Sequence, residues 1–420
     1  MLFRKVTTMK SGNKNSATGL AVLAVLIACA TANAQVDPAA TGSSAILDYD
    51  LSYSQTALFY AGYSDAQQRG TAAGEVEYMN GKPHTPFSLK YSGGYSIGIS
   101  GSESGTGVFQ HLLISQGYTT RRSSVTLSDD VGYYPQSPTT GFSGIPGVGS
   151  IPGLPGEPTE PILTLNTRCL NNTATLNFTH SLNYDTSFSA AGDYVWLRFP
   201  DGGGLDINEV GAHPQINWRL NALNSVFVQY SFTRFNYIGS PFVMETQTVE
   251  PGLHRVWNRR ITTDVSAGPE LIQSNNDQVV PSSIGIAANA SVTYTGRLMT
   301  ASANYYRTVS AGAGLQTQIG VRYNGASVDV SRTFGRDMTI GATGSYTQTA
   351  GLLQTGDTNG EFGGVNATRR LGEYLTVSGN YTVFHQSSSL ALPTSALHGL
   401  SQVIGFSVAY HPRETHIVRQ

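Results

Sequence analysis

The 420 residues carry 25 Lys and Arg against 27 Asp and Glu, and charged residues make up only 12% of the chain, about half the usual share for a soluble protein. No apolar run of about 20 residues follows the N-terminal segment, which excludes a bundle of membrane helices. No basic block exists, which argues against nucleic-acid binding.

The N-terminus reads as a secretion signal. Arg4, Lys5, Lys10 and Lys14 precede a short apolar stretch at 20–28, and Ala32-Asn33-Ala34 offers the small residues that a signal peptidase reads. Cleavage there makes 1–34 a removed signal and 35–45 a short lead-in. A competing reading takes Leu26-Ile27-Ala28-Cys29 as a lipobox with Cys29 lipidated. Removing the four basic residues leaves 21 of the 25 against 27 acidic ones. Cys169 is then the one remaining thiol, so no intramolecular disulfide and no cysteine-based metal site is expected.

From residue 46 to 410 the pattern is period-two alternation. Phe87, Leu89, Tyr91, Gly93, Tyr95, Ile97 and Ile99 share one face, while Ser88, Lys90, Ser92, Gly94, Ser96, Gly98 and Ser100 share the other. Weaker versions recur at 174–182, 284–294, 338–346, 375–383 and 404–410. A soluble sandwich also alternates, but with shorter strands and more charge on its outer face. The abundance of Gly, Ser, Thr, Asn and Tyr fits a barrel that spreads its apolar surface over alternate residues. Short turns are expected near 80–81, 120–121, 183–184, 221–222, 259–260, 296–297, 335–336 and 372–373. Longer polar or Gly/Pro-rich loops lie between them. This counts to a single transmembrane antiparallel up-and-down β-barrel, all-β, of about 18 strands, with 16 as the competitor because 46–60 and 106–119 alternate least cleanly. Gly335 and Gly372 open a shared Gly-x-x-x-Thr-aliphatic motif and are expected at positive φ.

These features resemble the porin-like outer-membrane β-barrels of bacteria over residues 46–410. The resemblance implies an outer-membrane location, lipid as the surroundings, insertion by the barrel-assembly machinery, a periplasmic 35–45 segment and passive diffusion of small hydrophilic solutes. A structural or export barrel in cell-surface or exopolysaccharide assembly is the alternative. Many members end on an aromatic residue; here a tail at 411–420 follows Tyr410.

Little points to chemistry. Gly94-Tyr95-Ser96-Ile97-Gly98 fits a hydrolase pattern that works on a strand-to-helix turn, yet it lies inside the most regular strand. The nine His are dispersed. Asp129-Asp130 and Glu75/Glu77 read as solvated lumen residues. No catalytic, metal or cofactor site is therefore assigned. Parity places Asp48, Asp50, Glu75, Glu77, Lys90, Asp193, Arg219, Arg255, Arg322 and Asp329 on the lumen face, either as plain solvation or as a selectivity filter. The segment 134–164, with Pro146, Pro152, Pro155 and Pro158, blocks regular pairing. It is a disordered outer loop, a constriction folded into the barrel, or an external binding loop.

Replacing 144–160 by a short Gly/Ser linker is expected to leave the barrel folded, because each doubling of loop length changes closure entropy by only about 0.6 kcal/mol. Heat-modifiable gel migration checks this. A rise in conductance would place the segment in the lumen, and loss of folding would show packed structure there.

Overall fold

The computed structural model describes residues 45–60, 66–100, 106–134, 168–202, 205–311, 319–352, 357–389, 399–412 and 415–417. The strands are β1 (Ala45–Tyr60), β2 (Gln67–Met79), β3 (Phe87–Ser100), β4 (Gly107–Thr119), β5 (Ser123–Tyr134), β6 (Cys169–Ser181), β7 (Thr186–Arg198), β8 (Ile207–Arg219), β9 (Asn224–Tyr237) and β10 (Val243–Asn258). There follow β11 (Ile261–Ser274), β12 (Ser283–Thr295), β13 (Met299–Ser310), β14 (Val321–Phe334), β15 (Met338–Gly351), β16 (Asp357–Leu371), β17 (Leu375–Ser388), β18 (Gly399–Tyr410) and the three-residue β19 (Thr415–Ile417).

Each wall strand pairs antiparallel with the next, and β1 pairs with both β2 and β18. The result is a closed up-and-down barrel of 18 wall strands. The two irregular segments form β1 and β4, which decides against 16. Closure is what the backbone demands in hydrocarbon, where an unpaired edge has no water to bond. The wall strands run 12–16 residues, long enough to cross a bilayer at a tilt. An even strand number brings the start of β1 and the end of β18 to one rim, the rim of the short turns. There β19 pairs with Ala45–Leu47 of β1, so the tail extends the seam beyond Tyr410.

Side chains make several of the turns. Asn183 Oδ1 accepts from the N–H groups of Asp185 and Thr186, Asn221 Oδ1 from Leu223 and Asn224, and Asn258 Oδ1 from Arg260 and Ile261. Each is a side-chain mimic of a backbone turn. Gly335 and Gly372 adopt φ of 65° and 74°, the left-handed region that their shared motif suggested. The expected two-residue turn at Asn80-Gly81 is instead the longer segment 80–86. Pro83 and Pro86 lack the N–H that would extend the ladder, and Asn80 Oδ1 accepts from Phe87 N–H to close it.

Three prolines stand inside strands at interruptions of the ladder. Pro214 falls where the β8–β9 register lapses between Ala212 and Gln215. Pro251 and Pro269 fall where the β10–β11 register lapses between Thr248 and Gly252. Each occupies a place where its missing donor costs least.

The outward face is apolar and exposed, with Tyr91, Tyr95, Ile97 and Ile99 on β3, while Ser92 and Ser96 on the inner face are buried. A carboxylate near mid-strand departs from this. Asp129 lies on β5 between outward Leu127 and Val131, and Asn172 Nδ2 donates to its Oδ1 at 2.8 Å. Asp130 points the other way, into the lumen. The adjacent carboxylates are thus not both lumen residues, because a strand turns successive side chains to opposite faces.

The N-terminal segment 1–44 and the Pro/Gly-rich loop from 135 to 164 lie outside the described residues.

On the outward face Leu176 is 49% exposed near mid-strand, and Asn177 beside it faces the lumen. Leu176→Arg is expected to cost about 2–4 kcal/mol of folding free energy in a bilayer. Asn177→Arg should be close to neutral. Urea unfolding from liposomes measures both; equal costs would contradict the assigned faces.

Candidate functional site

The cross-strand register converts sequence parity into neighbours. On the inner face Asp48 lies opposite Glu77 and Asp50 opposite Glu75, giving four carboxylates on β1 and β2. Lys90 of β3 reaches Glu75 Oε1 with its Nζ at 2.6 Å. His411, just past β18, binds Asp50 through Nδ1. Asp193 also faces inward and is paired with His213 at 2.8 Å. Asp329 is inward and exposed on β14. Arg219 shares the inner face but stands beside a short turn, its guanidinium over the Tyr184 ring at 5.4 Å.

Two assignments are corrected. Arg255 lies on the outward face of β10 with Leu253, its guanidinium 3.8 Å from the Trp257 ring centroid near the turn rim. Parity runs unbroken from Val249 to Arg255, and the charge escapes hydrocarbon by snorkelling to the rim. Arg322 is also on outward parity, opposite to Asp329 of the same strand, yet its side chain ends up inside. The reason is tertiary.

Pairing of β12 with β13 ends at Ala288 and Arg307, and above that point β13 pairs only with β14. The top of the β13–β14 hairpin turns into the barrel. Val309 N–H donates to Oε1 of Glu270, an inner-face residue of β11, at 3.1 Å. Tyr237 of β9 donates its hydroxyl to the Ala311 carbonyl at 2.7 Å. Val309 and Ala311 pack in an apolar cluster with Tyr237, Met244, Ile272 and Phe235. A Cβ on Gly285 of β12 would lie 2.9 Å from Arg322 Nη2 and 3.2 Å from Glu270 Oε2, so Arg322 reaches the lumen over β12. Glu270 Oε2, Arg307 Nε and Arg322 Nε are buried without hydrogen-bond partners.

The inner face is therefore divided along its length. At the loop end Met244, Thr246 and Thr248 of β10 and Cys169, Asn171 and Thr173 of β6 are buried. Toward the turn end Asn177 and Thr179 of β6 and Asp329 of β14 are exposed. Three inner-face glycines lie directly opposite aromatic residues whose rings occupy the space a Cβ would take: Gly94 under Phe109, Gly252 under Phe227 and Gly325 under Tyr306. The rings lie against the wall rather than across the lumen. At the loop rim Arg168 donates twice to Asp201, both at 2.6 Å. That hydrogen bonding holds the Asp201 carboxyl below its usual range.

Besides Asp130, expected in the lumen, the inner face holds groups that the sequence did not single out. His111 Nε2 contacts the Asp130 carboxylate at 2.9 Å, and His254 Nδ1 contacts Asp264 at 2.5 Å. Glu209 and Glu250 also face inward. These His–Asp pairs join different strands, so only the register reveals them. Ser92 lies opposite His111, which brings Ser, His and Asp onto neighbouring strands. The backbone donors around them belong to the ladder, leaving no N–H groups aimed at an oxyanion. Ser96 sits within β3 and accepts from Thr71 Oγ1 at 3.3 Å. Among the described residues no group of three or more His, Cys, Asp or Glu is placed to hold a metal ion.

No family model and no curated protein matches the sequence. Solved structures with a similar fold include Acinetobacter baumannii OccAB3, with TM-score 0.46 and 9% identity over 88% of this chain and 99% of that one. Pseudomonas aeruginosa OccK2 in complex with glucuronate has TM-score 0.48 and 8% identity over 89% and 98%. Pseudomonas aeruginosa OpdL has TM-score 0.45 and 8% identity over 90% and 100%. Likeness at this level says nothing of the solute.

Glu270→Ala removes the acceptor of the Val309 N–H and is expected to destabilise the barrel by about 1–3 kcal/mol. Glu270→Gln keeps an amide oxygen there and should lose less. Urea midpoints of the folded protein compare the two; equal losses would show that this bond does not hold the hairpin.

Proposed function

We propose that the chain is an outer-membrane channel through which small hydrophilic solutes diffuse passively. The observation that carries this reading is the contrast between the two faces of one closed wall. The outward face is apolar and aromatic. The inner face carries carboxylates, Ser, Thr and Asn that stay half-buried or exposed through the turn-side half. An 18-strand barrel is too wide for its own side chains to fill, so such a face lines water. The infolded β13–β14 hairpin and the apolar cluster beneath it narrow the loop-side half, and passage is controlled there. The Pro/Gly loop with Pro146, Pro152, Pro155 and Pro158 is proposed as a second constricting element on its sequence alone.

Several further parts belong to this proposal. Residues 1–34 direct export and are removed, and the assembly machinery inserts the barrel, with β18 and its Phe406, Val408 and Tyr410 near the seam. Nothing in the reading asks for a reaction or a cofactor.

Purified protein in a planar bilayer is expected to give stepwise ion conductance, and liposomes containing it should swell in small sugars. A barrel that shows heat-modifiable migration but carries no current would favour the structural or export alternative instead.

A further inference from the structure

We propose that the channel prefers cations to anions. This rests on the reading above that the lumen conducts.

The strands carry 15 carboxylate residues, and the register turns 11 of them to the inner face. The outward four are Asp129, Glu245, Asp357 and Glu361. Basic residues distribute the other way. Of 11 strand Arg and Lys, only Arg69, Lys90, Arg219 and Arg370 have inner-face parity. The infolded hairpin adds Arg307 and Arg322, both beside Glu270. With His neutral, the inner face is left with five more negative charges than positive.

A second, independent observation concerns the outward arginines. Arg255 lies over Trp257, Arg332 over Phe334 and Arg198 over Trp196, at 3.8, 5.0 and 4.7 Å. Each is held near a rim by an aromatic face, an attraction open to cations and not to carboxylates. Three positive charges of the wall are thus anchored outside the lumen, which leaves the inner carboxylates in excess.

The acidic groups are spread around the lumen. Asp48, Asp50, Glu75 and Glu77 form one sector, while Glu209 on β8, Asp264 on β11 and Asp329 on β14 stand on others. Like charges directly opposite, as in Asp48 with Glu77 and Asp50 with Glu75, are unfavourable for a sheet. Lys90 and His411 relieve only part of that repulsion. A low-dielectric wall lined by one sign of charge raises the local concentration of the opposite sign, and rings of Asp and Glu select cations in channels.

The test is the full-length protein in a bilayer of uncharged lipid with a KCl gradient. The sign of the reversal potential should show K+ preferred several-fold over Cl− at about 0.1 M salt. The preference should fall toward parity at about 1 M, where the screening length shrinks from about 10 Å to about 3 Å. The fourfold variant Asp48→Asn, Asp50→Asn, Glu75→Gln, Glu77→Gln should lower the K+/Cl− ratio about twofold or more. A second variant, Glu209→Gln with Asp264→Asn and Asp329→Asn, probes the opposite sectors if the first does not fold. Chloride preference, or no preference at 0.1 M, overturns the inference while leaving the channel reading intact. Folded protein without any current defeats the channel reading itself. Unchanged ratios in folded variants would show that these carboxylates do not set the preference.

Discussion

The structure depends on one requirement: in hydrocarbon every backbone N–H and C=O must find a partner within the protein. A single open edge would leave a row of unpaired groups, each costing several kcal/mol. The pairing of β1 with β18 over ten residues, Leu51–Tyr60 with Ser401–Tyr410, removes that edge. The same requirement explains the smaller features. Prolines occur where the ladder has already lapsed, and asparagine carbonyls take the N–H groups that turns would leave free. At the seam, the tail past Tyr410 supplies β19, which pairs with the start of β1 where β18 has ended.

Closure at 18 strands creates a second problem, because the enclosed space is wider than side chains can fill. The chain solves it differently at its two ends. Toward the turns the space is left to water, and the inner face is polar. Toward the loops it is packed. Phe109 occupies the space over Gly94 and Tyr306 that over Gly325, and the top of the β13–β14 hairpin leaves the wall to cover the inner faces of β11 and β12. That departure reverses the meaning of parity for the residues on it. Arg307, Val309 and Arg322 occupy outward positions, yet they meet Glu270 and Ile272 from inside. The hairpin becomes a third layer in a fold that elsewhere has one, and its charged groups are drawn under cover with atoms left unpaired.

Much of this was legible in the sequence, because a period of two survives any rearrangement that keeps a strand in the wall. The alternation of β3, the strand number and the positive-φ glycines could all be read from residue order. Three things escape simple alternation. The direction of Arg322 depends on where β12 and β13 part, a tertiary event with no local signature. The outward direction of Arg255 requires the phase to be carried through Pro251 and Gly252, and the aromatic Trp257 two residues on is its signal in the sequence. The His–Asp pairs join residues 10 to 20 apart in sequence at least, and for Asp50 with His411 they span nearly the whole chain. Such pairs become visible only when the register fixes which residues stand opposite one another.

The distribution of charge follows from the same geometry but is not dictated by it. A wet inner face tolerates either sign, since both are solvated there. The outward face near a rim tolerates arginine better than carboxylate, because a long side chain can reach the headgroup level while its plane stacks on an aromatic ring. This asymmetry alone moves positive charge out of the lumen. It does not account for carboxylates set directly opposite one another on β1 and β2, which a stability argument would replace by Ser, Thr or Asn, as elsewhere on the inner face. Nor does it account for Asp129, whose carboxylate faces outward at mid-strand with Asn172 as its donor. For the inner carboxylates the unfavourable juxtaposition is lessened by any cation that enters. The resting repulsion of the wall and its attraction for a passing cation are one electrostatic field, read with and without the ion present.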